Sequence, residues 1–177
     1  MTLPAAPTRM TTESPTLPSI PRLRMEPTGS PRTLLDGGWW PRSTDPVAEL
    51  PGLVLAIDNL RGPVSRLILA ADGWDSHPRR LCVAGRVLKL GYFASQPTSL
   101  LTALCGNGKR IDLLIVAPNT ARGSADAAMI LATTTGNHVH AEHIIPAVNA
   151  SNLGSRVESA EEVWEAEGGH LDRAVLS

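Results

Sequence analysis

Three histidines and a carboxylate fall within one short run, His138-Val-His140-Ala-Glu142-His143. Neutral imidazoles at such spacing can hold zinc, and an acidic neighbour can hold a second metal or a water for hydrolysis. A second chemical set is aromatic and charged: Asp36, Trp39, Trp40 and Arg42 in LLDGGWWPRS, with Trp74 and Asp75 further along. In an extended segment neighbouring side chains face opposite sides, so one of the paired tryptophans can enter a core while the other joins Trp74, Tyr92 and Phe93 in a recognition patch; the usual burial of aromatic residues favours the alternative that all of these rings fill one end of the core. A third set is basic. Arg22, Arg24, Arg79, Arg80, Lys109 and Arg110 flank apolar runs and would form a phosphate-binding strip if the fold gathered them, although charged strand edges that block aggregation account for them as well. Gly106-Asn107-Gly108-Lys109-Arg110 is not the end of a phosphate loop. Ala103 stands where that loop needs its first glycine, and Arg110 where it needs Ser or Thr. Ser65, Asp72, Asp75 and His77 are near in sequence, which alone does not make a catalytic triad.

The totals limit what these residues can serve. A chain of 177 residues has room for one domain and its tails. Sixteen Lys and Arg against 17 Asp and Glu leave a net charge of -1, so no overall field draws it to nucleic acid. Cys82 and Cys105 are too few for a disulfide framework and read as small buried hydrophobes. No apolar stretch approaches the ~18 residues of a membrane span, and the N-terminus has no signal-like core. A cytoplasmic protein that binds no cofactor is expected.

The elements that must position these residues follow from pattern. Residues 1–20, rich in Pro, Thr and Ser, read as a disordered tail. RLRME alternates as a short strand does. Asp45 and Pro46 open a helix whose Leu50, Val54, Ile57 and Leu60 recur at helical spacing; Gly62-Pro63 ends it, and Pro51 either bends it or shifts its start. Four β-rich runs follow: Val64 to Ala71, Arg80 to Ala84, Arg86 to Phe93 and Leu100 to Cys105, with Lys109 to Val116 returning across the Asn107-Gly108 turn. Ile111, Leu113 and Ile115 share one face of that return strand. Ser124 caps an Ala-rich helix ended by Gly136; residues 136–154 then look irregular, before a last amphipathic helix opened by Ser155 or Ser159. Strand runs between helices predict a single α+β domain over residues 21–135, with a largely antiparallel sheet of five to six strands and two to three helices. Residues 136–177 then form a linker and terminal helix.

Two resemblances bear on function. The run H-x-H-x-E-H resembles the H-x-H-x-D-H signature of metallo-β-lactamase-fold hydrolases, which implies a metal at His138, His140, Glu142 and His143. Three departures count against it: Glu142 replaces the aspartate, the motif lies late in the chain, and that fold's later ligand-bearing strands have no room to follow. More of the chain, about residues 22–135, resembles an actinobacterial family of domains of unknown function. LDGGWWPRS, the Leu50-Pro51 helix, the Trp74-Asp75 loop, the strand ending Gly91-Tyr92-Phe93 and RIDLLIVAP carry that likeness, which implies a compact domain and attaches no activity. A non-catalytic binding or regulatory module is expected, using Asp36, Trp39, Trp40, Arg42, Trp74 and Asp75 toward a small ligand or a protein. A metal-dependent hydrolase and a nucleic-acid-binding domain are the alternatives.

Overall fold

The computed structural model describes residues 11–28 and 33–153. The first ten residues of the expected tail and the terminal helix expected from Ser155 or Ser159 lie outside them. One mixed sheet organises the chain. Its strands are β1 (Thr12–Glu13), β2 (Leu23–Met25), β3 (Gly37–Trp39), β4 (Val64–Ala70), β5 (Arg80–Val83), β6 (Arg86–Phe93), β7 (Leu100–Cys105) and β8 (Arg110–Ile115), in the spatial order β1-β5-β6-β4-β7-β8-β3-β2.

Two tight hairpins set the register of its middle. Ala84 and Gly85 both take positive φ, 49° and 77°, the backbone of a two-residue turn whose twist matches the strands it joins. Gly108 does the same at 82° between β7 and β8, pairing Leu101 with Leu113 and Ala103 with Ile111.

The helix α1 (Pro46–Arg61) starts where the sequence places it: the Asp45 carboxylate accepts from the Val47 N–H at 3.0 Å, and Pro46 occupies the first turn. Pro51 lies inside α1 and is buried. Its missing N–H forfeits one hydrogen bond. Leu50, Leu53, Val54 and Ile57 are fully enclosed against β4, β5 and β7, and each such side chain contributes roughly 1.5–3 kcal/mol. At the far end Asp58 accepts from the Val64 N–H at 2.7 Å and pairs with Arg86, tying the helix exit to β6.

The class is α+β as expected, but the sheet has eight strands rather than five or six, and three of its pairings are parallel: β1 with β5, β4 with β6, and β3 with β8. The departure has a local cause. Gly37 and Gly38, which belong to none of the expected strands, form β3 with Trp39. A methyl group at Gly37 would run into the Arg24 carbonyl oxygen, and one at Gly38 would lie 3.2 Å from Met129 Cα, so these residues let β2 and a helix close in on both sides. With β3 a strand, α1 becomes a crossover, and β4 must run parallel to β3. Thr12–Glu13, within the stretch read as tail, adds the other short edge by pairing with Leu81 and Cys82.

After β8 the chain enters α2 (Arg122–Thr133), which begins before Ser124; its N-cap is Ala121, with no side-chain cap. Ser124 instead accepts from Asn152 at 3.3 Å. A third helix, α3, spans residues 141–153, where an irregular segment was expected. Ala141, Ile144 and Val148 are buried at helical spacing and pack with Ala125, Ala128, Met129 and Ala132 of α2. Alternate residues along β8 and just past its end divide the two layers, Leu113 and Ile115 facing α1, Leu114 and Val116 facing α2 and α3.

Candidate functional site: the carboxyl edge of β3 and β8

Strands β3, β8, β4 and β6 run in one direction. From β3 the chain leaves to α1 on one face of the sheet; from its neighbour β8 it leaves to α2 on the other. Where adjacent strands send their connections to opposite faces, the loops part and leave a crevice beyond the strand ends. A cavity of about 630 Å³ lies there.

The segment after β3 builds one wall. Trp39 enters the core under α1 and is 1 % exposed, whereas Trp40 enters the α2–α3 core at 9 %. The pair is anchored on opposite faces. Trp39 stacks on Trp74 with ring centroids 6.2 Å apart and planes at 22°. Trp40 donates its indole N–H to the Ala117 carbonyl at 3.1 Å, and the Val116 N–H donates to the Trp39 carbonyl at 2.9 Å, so the loop after β3 is fastened to the loop after β8. Pro41, Ser43 and Thr44 then line the cavity. Arg42 lines a different one, with Trp40.

The β4 exit supplies Asp72, Gly73 and Trp74, and the entry to β7 supplies Thr98 and Ser99. Thr44 Oγ donates to the Asp75 carboxylate at 2.7 Å, and the Asp75 N–H donates to the Thr44 carbonyl at 3.0 Å, which clips the Trp74 loop onto the β3 loop. Ser43 donates to Glu49 at 2.9 Å. The Ser99, Asn119 and Thr120 side chains make no hydrogen bond among the described residues and are open to a ligand. With Ile115, Ile145 and the Trp74 indole, the lining combines an apolar floor with uncharged donors and acceptors.

Residues 22–132 match the model of a family described as a family of unknown function, DUF5994. The chain belongs to it. The DUF5994 match takes in β2 to β8, α1 and nearly all of α2, and therefore every wall of the cavity except Ile145. No curated protein and no solved structure matches the chain.

Within this DUF5994 fold the expected site residues divide. Trp74 lines the cavity, Trp39 stacks behind it in the core, and Asp75 holds the lining Thr44. Trp40 and Arg42 lie on the other side of the same strand exit. Asp36 is elsewhere: its carboxylate accepts from the Asp112 N–H at 2.8 Å, bracing β8 against the approach to β3, and burial pushes its pKa up. Tyr92 donates to the Pro78 carbonyl at 3.0 Å and meets His77 edge-on, while Phe93 is half exposed, so neither joins the tryptophans. His138, His140, Glu142 and His143 are all exposed, and among the described residues no group of three or more His, Cys, Asp or Glu side chains is placed to hold a metal. The arginine strip does not assemble either, because β2 and β5 stand near opposite edges of the sheet and Arg110 pairs with Asp112. Sequence reasoning missed Ser43, Ser99, Asn119 and Thr120. The visible signal was Ala117-Pro118-Asn119-Thr120, a polar loop between a buried strand and a helix.

Proposed function

We propose that this DUF5994 chain is a non-catalytic binding module that holds a small, uncharged, partly apolar ligand in the β3–β8 cavity. The observation that carries it is the coincidence of that cavity with the point where the connections of two adjacent parallel strands diverge, the usual ligand position in open sheets containing parallel strands. The lining chemistry supports an uncharged ligand. Ser99, Asn119 and Thr120 offer hydroxyl and amide groups, Trp74 offers an indole, and Asp72 is the one carboxylate among the described lining residues. General acid–base work on a bound substrate ordinarily draws on two titratable groups of different pKa, so this lining favours holding over turnover.

Ligand-observed NMR with a set of neutral aromatic alcohols and amides tests the proposal. Saturation transfer is expected for several members with the full chain and is expected to vanish in Ala117→Phe, which places a ring at the exposed cavity mouth. Equal transfer in both proteins contradicts the proposal.

A further inference from the structure

On the other side of the Trp40-Pro41-Arg42 segment lies a second cavity, of about 500 Å³, bounded by Arg22, Arg24, Trp40, Arg42, Arg122 and Asp126. Four guanidinium groups from three separate parts of the chain border one concavity, in a molecule whose net charge is -1. Like charges are brought together only where something else fixes them. Arg22 is fixed: its guanidinium lies 3.7 Å over the Trp40 ring and donates to the Trp40 and Pro41 carbonyls, each at 2.9 Å.

The others are only lightly engaged. Arg42 donates one Nη1 hydrogen bond to the Ile20 carbonyl at 2.9 Å; Arg122 has Asp126 at 4.0 Å, the outer limit of an ion pair; Arg24 has no partner among the described residues. Burial and then the Arg42 charge push the Arg22 pKa down, Glu49 opposes them less strongly, and Arg122 adds the smallest push downward. The α2 helix opens at Arg122 with no acidic residue in its first turn, so its positive end adds to the same field.

We propose that this cavity is a second, anion-binding site that takes the phosphate group of a small phosphomonoester. Guanidinium forks match the oxygen geometry of phosphate, and a dianion with three terminal oxygens can engage several forks at once, as a single carboxylate cannot. A concave site framed by Trp40 and Met129 suits a compact ligand rather than a polymer backbone. The site is independent of the β3–β8 cavity, which Arg42 does not line.

Calorimetric titration of the full chain at low ionic strength, with inorganic phosphate and phenyl phosphate as probes and phenol as control, tests it. Both phosphates are expected to bind and phenol is not, with affinity falling as salt rises. The double variant Arg24→Gln, Arg122→Gln is expected to weaken binding ~10-fold or more while melting close to the parent, because both side chains are exposed and the one ion pair lost, Arg122 with Asp126 at 4.0 Å, lies on the surface. Ala117→Phe is expected to leave phosphate binding unchanged. No binding of either phosphate, equal affinity in the double variant, or loss in Ala117→Phe instead would overturn the proposal.

Discussion

Trp39 and Trp40 occupy opposite layers because a strand leaving the sheet alternates its side chains, and each finds a partner fixed elsewhere: Trp74 for one, Arg22 and the Ala117 carbonyl for the other. The alternation was legible in the sequence. Enclosure of both rings agrees with the usual burial of aromatic side chains; that Trp40 would enter a second, separate core was not legible, since the segments covering it, α3 above all, gave no clear pattern before the fold placed them. Truncating either ring to Ala therefore opens a core and costs about 3–5 kcal/mol, in place of separating a structural tryptophan from a binding one. Tyr92 gives a cleaner measurement, because the chain has one tyrosine. Burial pushes its pKa from 10.0 up to about 12. A neutral phenol favoured by the fold contributes stability that is complete below the unfolded pKa and declines as pH climbs from there through the folded one. Absorbance at alkaline pH is expected to show tyrosinate appearing near 12 in the folded protein, with stability falling from about pH 10 upward; ionisation near pH 10 while the protein remains folded contradicts the packing described for this residue.

The hairpins and the capped start of α1 were the most legible features. Ala84-Gly85, Asn107-Gly108 and Asp45-Pro46 are local signals, and their effect does not depend on distant residues. β1 and β3 are two and three residues long and carry no periodicity, so only their neighbours make them strands. α3 was hidden by Pro146 and the clustered histidines, although Ala141, Ile144 and Val148 held the helical spacing. The docking of residues 11–20 can be tested through Gly52. A methyl there would collide with the Ser19 carbonyl oxygen, while the rest of α1 keeps its buried face. Gly52→Ala is expected to speed hydrogen exchange across residues 12–20 and cost roughly 1–3 kcal/mol, less any gain in helix propensity. Exchange in that segment identical to the parent would show that the contact with α1 does not hold it.

At the scale of the whole molecule, α1 crosses over between β3 and β4 on one face of the sheet while α2 departs from β8 to the opposite face, so the two connections diverge. The same divergence opens the β3–β8 cavity, and the alternation of residues 39–44 across the strand exit leaves the arginine cavity on its reverse side. Sequence patterning reached the components of this arrangement but not their convergence, because Ser43, Trp74, Ser99 and Thr120 come from four separate loops whose meeting depends on strand order. The histidine run, the most chemically explicit motif in the sequence, ends on the exposed surface around the start of α3, and among the described residues it forms no metal-binding group.

The central claim is that the β3–β8 cavity is where a ligand sits, and an amide-resolved NMR titration of the full chain with the neutral fragments tests it most directly. Shifts concentrated on Gly73, Trp74, Ser99 and Ala117 to Thr120, with the amides of β5 and β6 unmoved, are the predicted result. Shifts confined to other surfaces, or none in a folded chain at millimolar fragment, would contradict it.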